Sequence, residues 1–441
     1  MNRISKIFQP LLIIPKNAVV RNQDLTSKSQ RLMMECGLIR PSGNGSFFIL
    51  PILQRSVEKL VGIIDHHMQK IDCQKITMPT LTSADLWKMS GRFEDAQSEL
   101  LIVKDRHEKL HLLSPTHEES ITSLLASIAG TSYRLFPLKF YQITSKFRDE
   151  MKPRFGLIRA KEFLMKDLYT FDCDLESAKI SYETVNEQYK NLFDYLEIPY
   201  VKIEADTGLM GGNISHEYHI LTSIGEDHIV QCKKCNKAVN KELLNEKQLI
   251  CDECVPEDIE QHEGIEIGHT FVLEDKYTKA LNATYLSKKG KPEILQMGCY
   301  GIGVTRLIAA SIERFSTESE IRWPIPIAPF KLCIIPPKEG SKEQEKVKDL
   351  MEEIDNFLKS KEKSLRDDVV IDDRTQITIG KRLMHTKRLG IPFIIVIGSK
   401  AAEEINPTVE LHDLNQNIVH ELSITDALNK VMSQIKTYEI V

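Results

Sequence analysis

Lys146-Phe147-Arg148-Asp149-Glu150-Met151-Lys152-Pro153-Arg154-Phe155-Gly156-Leu157-Ile158-Arg159 is the stretch on which the fold is decided. The run Lys139 to Arg148 has strand character and delivers an arginine and a carboxylate two residues apart. A period of two sets Arg148 and Glu150 on one face. A short basic loop with Pro153 and Gly156 follows, and a second strand-like run, Ala160 to Phe171, returns. A fixed positive fork beside an acceptor suits a nucleotide. The guanidinium grips a phosphate at two points, and the carboxylate takes a base amino group.

Further along lies Gln296-Met297-Gly298-Cys299-Tyr300-Gly301-Ile302-Gly303-Val304-Thr305-Arg306, read as a strand, a glycine-rich turn and an arginine on the first turn of a helix. A dinucleotide turn is a poor alternative, because the spacing is G-x-x-G-x-G and no acid-bearing βαβ unit follows. In this order and spacing the two stretches resemble motifs 2 and 3 of the class II aminoacyl-tRNA synthetases. Pro51 to Ile71 reads as a helix, with Val57, Leu60, Val61, Ile64, Met68 and Ile71 as its apolar stripe. The short strand ending at Met78-Pro79 completes a likeness to motif 1, which in that family builds the dimer interface.

Other segments narrow the resemblance. Ser114-Pro115-Thr116-His117-Glu118-Glu119, Glu162 to Asp167 and Gly211-Gly212-Asn213-Ile214-Ser215-His216-Glu217 resemble prolyl-tRNA synthetases of the bacterial type. Asp372-Asp373-Arg374-Thr375 to Gly380-Lys381-Arg382 resembles their anticodon-binding domain. The likeness runs from about Leu25 to the end, and a basic leader adds similarity to the mitochondrial branch of animals. Residues 1–23 hold Arg3, Lys6, Lys16 and Arg21 and no acid. Ile4, Ile7, Phe8, Leu11 and Leu12 fall at helical spacing, as in a mitochondrial transit peptide. A basic tail of a bacterial protein is the plainer alternative.

The bulk numbers are those of a soluble protein of two or three domains: 441 residues, 41% hydrophobic and 27% charged. A net charge of −5 gives no global signature of a nucleic-acid binder, so any RNA contact must come from local basic surface. No apolar run approaches the ~20 residues that span a bilayer, and no membrane partner is expected. Nine cysteines in such a chain do not suggest a secreted disulfide scaffold.

The resemblance implies an α+β catalytic domain at 24–328, a class II antiparallel sheet flanked by helices, with a short Cys-rich insertion at 228–264. It implies a C-terminal α/β anticodon-binding domain at 329–441. There the pattern predicts a mixed five-stranded sheet, from strands at Lys331 to Ile335, Val369 to Asp372, Phe393 to Ile397, Val409 to His412 and Ile418 to Leu422. Helices are expected at Lys342 to Lys361, Ile379 to Leu389 and Ile424 to Ile435. Serine, proline and acids at Ser114, Pro115, Glu118 and Glu119 predict a helix starting at Ser114. Leu100 to Lys104 and Leu110 to Leu113 predict a hairpin.

The implied activity is proline–tRNA ligase: proline and ATP give prolyl-adenylate, and tRNA(Pro) takes the prolyl group. Both transition states gather negative charge, so fixed cations and Mg²⁺ matter more than a dedicated base. By resemblance Arg148 holds the α-phosphate and the proline carboxylate, and Arg306 meets the γ-phosphate. Glu150 accepts from the adenine amino group, unless it only pairs with Arg148. Arg159 lies by the distal phosphates, as Arg154 could. Phe163 stacks on adenine or is a core residue of its strand. Gly298, Gly301 and Gly303 let backbone approach the substrates. Thr116 and Glu118 receive the cationic ring nitrogen of proline, with helix capping the alternative for Thr116. His216 and Cys299 wall the ring, or are structural. No Mg²⁺ ligand is singled out. A homodimer in the mitochondrial matrix is the expected setting.

Cys232-x2-Cys235 and Cys251-x2-Cys254, separated by 15 residues, have zinc-ribbon spacing and predict a structural zinc. A thiol remnant of a reduced insertion is the alternative. Most bacterial relatives carry a large editing insertion between motifs 2 and 3. Here only Cys232 to Glu263 occupies that interval, so no hydrolysis of alanyl-tRNA in cis is expected. A proline pocket alone would then reject alanine by about a hundredfold to ten-thousandfold. In the C-terminal domain Arg374, Lys381, Arg382, Lys387 and Arg388 supply local positive charge for tRNA. A non-catalytic accessory subunit of class II shape is the main rival, and retained Arg148, Glu150 and Arg306 argue against it. A synthetase for threonine or serine and a trans-editing hydrolase are weaker rivals.

Overall fold

The computed structural model describes residues 2–11, 27–128, 130–235, 237–241, 258–360 and 366–436. The chain forms two compact units: Pro41–Phe47 with Val61–Ala310, and Met1–Arg40 with Phe48–Leu60 and Ser311–Val441.

The first unit is built on a nine-stranded sheet. Its strands run in the order Ile214–Leu221, Val201–Glu204, Ala238–Asn240, Asp227–Cys232, Ile259–Glu274, Gln296–Gly303, Glu162–Asp172, Leu138–Phe147 and Gln74–Lys75. The four long strands that place the site, Ile259–Glu274 through Leu138–Phe147, are antiparallel. Their inner stretches are buried on both faces, as over Lys166–Asp172 and Met297–Tyr300. One face packs on the helix Leu175–Tyr195, through Tyr182, Val185, Tyr189 and Leu192. That helix begins with a capping box at Asp174 and Ser177. The other face carries the cluster of Tyr169, Phe171, Phe271, Met297 and Cys299. A small three-stranded sheet, Leu81–Ser83, Leu110–Leu113 and Leu101–Lys104, adds a third strand to the predicted hairpin.

Two local expectations are corrected here. The helix after Ser114 begins at Glu118, not at Ser114, and His117 stands at its N-cap. Ser114 instead donates to the carbonyl of Thr80 at 2.8 Å, so Pro115 and Thr116 remain loop. Thr116 therefore caps nothing. The glycines of motif 3 are not a turn but lie inside the strand Gln296–Gly303. At Gly298 a Cβ would collide with the hydroxyls of Tyr300 and Thr170, so only glycine lets this strand lie flat there.

In the second unit a six-stranded mixed sheet runs Asn2–Arg3, Val369–Ile371, Leu332–Ile335, Phe393–Val396, Val409–Asp413, Ile418–Leu422. The five predicted strands are all present. The sixth comes from residues inside the expected leader: Asn2–Arg3 pairs in parallel with Val370 and Ile371. Ser5 closes the contact, donating from its N–H (2.9 Å) and hydroxyl (2.6 Å) to the Asp373 carboxylate. The helical spacing of Ile4, Ile7, Phe8 and Leu11 is thus not realised as an α-helix; Ile4–Lys6 is one 3-10 turn with Ile4 buried. Residues 12–23 of the leader reading lie outside the described residues. The predicted helix Lys342 to Lys361 is interrupted at Val347, giving Lys342–Lys346 and Lys348–Lys359. Leu332, Ile334, Ile354, Phe393, Leu428 and Val431 form the core. No helix among the described residues is long and apolar enough to cross a membrane.

The basic residues of this unit divide sharply. Arg382 is fully buried and donates to the carbonyls of Ile377, Asp372 and Pro336, so it braces backbone. Arg374 forks onto Asp372 at 2.8 and 2.7 Å, and Arg388 pairs with Glu35 at 2.7 Å. Lys381 is left exposed.

Candidate active site

Strand register explains why two distant stretches meet. Phe147 lies opposite Glu162, and Gly303 lies opposite Met165, so the strands carrying motifs 2 and 3 end at the same edge of the sheet. Arg148 follows the first strand and Arg306 sits in the first turn of the helix Val304–Phe315 that follows the second. Both line one cavity of 320 Å³, together with Thr116, Glu118, Phe163, Cys299, Gly301 and Gly303. Eight of the expected site residues thus converge.

Arg148 lies over the Phe163 ring, 5.3 Å from its centroid. Its guanidinium makes no hydrogen bond or ion pair among the described residues. Burial and the neighbouring Arg306 cation both lower its pKa. Arg306 is braced: Nε donates to the carbonyl of Ile158 at 2.9 Å and Nη1 reaches Glu266 Oε2 at 3.2 Å. Burial would raise the Glu266 carboxyl, but His269 and Arg306 outweigh it and hold it far below the usual range. Glu266 and Glu99 also line this end, so two guanidiniums face two carboxylates, and Arg148, which pairs with neither, is the group open to a polyphosphate.

At the other end the charge reverses. Glu118 is wholly buried, with Thr116 Oγ1 donating to its Oε1 at 2.7 Å and Cys299 Sγ at 3.0 Å. Arg92 reaches its Oε2 at 3.1 Å. Burial alone would raise this carboxyl; Arg92 and the two donors override it and lower it. Burial and Glu118 push the Cys299 thiol well up, so it stays a neutral donor. Beneath lies a buried relay in which Lys146 pairs with Asp167 at 2.7 Å and Tyr169 donates to Asp167 at 2.9 Å.

Four expected residues are not at the cavity: Glu150, Arg159, His216 and Gly298. Glu150 pairs with Arg159 at 2.8 Å, not with Arg148, and Arg159 also pairs with Glu226. The loop between them turns on Phe155 and Gly156, both left-handed, and closes through Arg154 and Arg159. Arg154 also pairs with Glu226, at 2.5 Å. His216 is corrected outright. Its Nδ1 meets the Tyr182 hydroxyl at 2.6 Å, on the helix face of the sheet. Alternation puts Ser215, not His216, on the cavity side, where it contacts His269 at 2.6 Å. His269 is the histidine that lines the cavity. Burial, Lys202 and His269 lower His216 to about 4, so it is neutral at pH 7.

Sequence reasoning missed Trp87, Arg92, Glu266 and His269. Arg92 had one signal available. Ser90-Gly91-Arg92 follows a short amphipathic helix, and Gly91 closes it in the left-handed conformation at φ 79°. Of the four cysteines, Cys232 ends a strand and Cys235 lies in the turn beyond it, while Cys251 and Cys254 lie outside the described residues. No cluster of metal-binding side chains is present among the described residues.

Comparison with known proteins agrees with this geometry. The family model described as tRNA synthetase class II core domain (G, H, P, S and T) matches residues 101–315, and that of an anticodon binding domain matches residues 331–434. A probable mitochondrial proline–tRNA ligase of Homo sapiens is 44% identical over 404 residues, 91% of this chain and 85% of the human one. A proline–tRNA ligase of a Wolbachia from Drosophila simulans is 37% identical over 412 residues, 91% of this chain and 94% of its own. In fold, the chain resembles the crystal structure of prolyl-tRNA synthetase from Cryptosporidium parvum complexed with halofuginone and AMPPNP. The TM-score is 0.74 at 18% identity, over 93% of this chain and 75% of that one.

Proposed function

We propose, for a chain that belongs to the proline–tRNA ligases among the class II aminoacyl-tRNA synthetases, that it charges tRNA(Pro) with proline in mitochondria. Proline carboxylate attacks the α-phosphorus of ATP and pyrophosphate leaves. A terminal tRNA hydroxyl, the 3′-OH, then attacks the prolyl-adenylate carbonyl and AMP leaves. The observation that carries this reading is an unpaired guanidinium, Arg148, held beside Arg306 in a cavity whose far wall is the ionised Glu118.

In this assignment Arg148 takes the α-phosphate and the proline carboxylate, and its fork stabilises the charge that grows at phosphorus. Phe163 supplies a stacking face for adenine beneath Arg148, and Arg306 takes the γ-phosphate. Gly301 and Gly303 bear no side chain on the cavity wall, so triphosphate can lie against backbone. Thr116 and Glu118 receive the two N–H groups of the proline ring, and Cys299 closes the wall. Glu150 and Arg159 join when nucleotide binding parts their ion pair, Glu150 turning to the adenine amino group and Arg159 to the distal phosphates.

Magnesium fits this site. Glu266 offers a carboxylate to the cavity beside Arg306, and Mg²⁺ takes one or two carboxylates with phosphate oxygens and water. Bound there, the ion would neutralise phosphate charge. Zinc rests on the spacing of Cys232, Cys235, Cys251 and Cys254; elemental analysis showing under about a tenth of an equivalent removes it.

The anticodon binding domain supports a tRNA partner, and the Pro51–Gln69 helix with Met78-Pro79 supports a homodimer. The mitochondrial names of the human and other relatives, with the basic N-terminal residues, support a matrix location. The catalytic reading is tested by amino-acid-dependent ATP–pyrophosphate exchange. Proline-specific exchange is expected; exchange with no amino acid would make this an accessory subunit.

A further inference from the structure

Behind Glu118 stands a group of charges that does not balance. Arg92, Glu118 and Glu119 are all buried, with side chains 8%, 0% and 1% exposed. Arg92 Nη1 is 3.1 Å from Glu118 Oε2 and 3.2 Å from Glu119 Oε1. Its guanidinium is fixed over the Trp87 ring at 4.4 Å and its Nη2 meets Met210 Sδ at 3.3 Å, while Nε has no partner. Glu119 also accepts from Ser90 Oγ at 2.8 Å. One cation therefore serves two carboxylates.

The surroundings do not supply the missing positive charge. Lys146 is matched by Asp167. Burial and Lys146 keep His117 neutral. Tyr169, Tyr277 and Cys299 are pushed up and stay protonated. At the rim Lys276 faces Glu119, Asp95 and Glu118 together and is engaged by the carbonyl of Leu209 at 2.8 Å, so two cations meet three carboxylates and the group remains one positive charge short. An unmatched charge in a dry site is strongly unfavourable and calls for a partner. Burial and the neighbouring Glu118, opposed by Arg92, push the Glu119 carboxyl up, which marks it as the member in excess.

We propose that Glu119 and Arg92 are specificity-determining residues that act through Glu118: together they leave the pocket one positive charge short, and the ring ammonium of the amino-acid substrate completes it. Arg92 fixes where Glu118 points, and Glu119 takes up enough of Arg92 that Glu118 still demands a cation. Glu119 itself touches no substrate atom. This rests on the reading that Thr116 and Glu118 receive the proline ring nitrogen.

The test uses the full chain in proline-dependent ATP–pyrophosphate exchange. Tetrahydrofuran-2-carboxylate, which has a neutral ring oxygen in place of the ammonium, serves as competing probe. Glu119→Gln is expected to raise the KM for proline at least about tenfold, with the KM for ATP and the inhibition constant of the neutral analogue within about twofold of the parent values. Glu119→Asp keeps the charge and is expected to restore most of the proline affinity. An unchanged proline KM in Glu119→Gln, or equal weakening of proline and its neutral analogue, overturns the inference. So does a Glu119→Asp variant as impaired as Glu119→Gln. Absence of proline-dependent exchange in the parent chain is a different result, which removes the proline reading beneath it. Arg92→Lys gives a second route: loss of proline affinity is expected with ATP affinity retained, and a parallel loss of both contradicts the assignment.

Discussion

The two ends of the cavity use the same residue type in opposite ways. At the nucleotide end Arg148 is unpaired, and Glu150, Arg159 and Glu226 form ion pairs whose side chains are 16–36% exposed. At the amino-acid end Arg92 is paired, sharing one guanidinium nitrogen between two buried carboxylates. The nucleotide end keeps Arg148 without an ion-pair partner in spite of its burial, so this guanidinium is left for a phosphate. The amino-acid end has its charges matched in advance to within one unit. Ligand charge is thus recognised by an unfilled cation at one end and by an unfilled anion at the other.

The hardest blow to this contrast falls on the waiting cation. Arg148→Ala is expected to reduce proline-dependent pyrophosphate exchange at least ~10²-fold, the scale of losing one transition-state donor. Retained exchange would show that the unpaired guanidinium is incidental. Next comes a matched pair of isosteric changes, one at each end. Glu118→Gln should raise the proline KM by about 10- to 100-fold, because Arg92 then keeps only one carboxylate and the ring ammonium loses its anion. Glu150→Gln, in the solvated ion pair, should shift the ATP KM only a few-fold. Equal effects would erase the distinction between the two ends.

The helix face of the same sheet provides a control, since it should affect stability and not catalysis. Asp172 is buried there and accepts from Ser181 Oγ at 2.8 Å, and burial raises its carboxyl to about 6. An acid raised in the folded state binds its proton more tightly than when unfolded. Its contribution is therefore present at low pH and is lost as pH rises through about 6. Relative to the parent, Asp172→Asn should gain up to a few degrees in melting temperature between pH 4.5 and pH 8. Parallel melting curves would contradict this. The smallest effect belongs to His216→Gln, which should leave the proline KM within about twofold, because that ring faces Tyr182 rather than the cavity.

Much of this was legible from residues alone. Each of the predicted C-terminal strands formed, because continuous runs such as Leu332–Ile335 and Phe393–Val396 are apolar on both faces and bounded by turns. Arg148, Phe163, Cys299 and Arg306 were expected together, and one cavity gathers them, because motif spacing is covalent. What failed did so for identifiable reasons. His216 was misplaced by one step of the strand alternation, a distinction that needs the register with Thr270. Ser114 satisfied every rule for a helix start, yet its hydroxyl was taken by the carbonyl of Thr80, in the bend just before Leu81–Ser83. The sixth strand could not be expected, since Asn2 and Val370 lie at opposite ends of the chain.

By itself, then, the order of residues determined which chemical groups the protein owns and the local elements that carry them, because periodicity and turn chemistry act over a few neighbours. Only the tertiary structure decided which charges share a dry pocket. Arg92, Glu118 and Glu119 become a single electrostatic unit through burial and strand register, and neither quantity is written in local sequence.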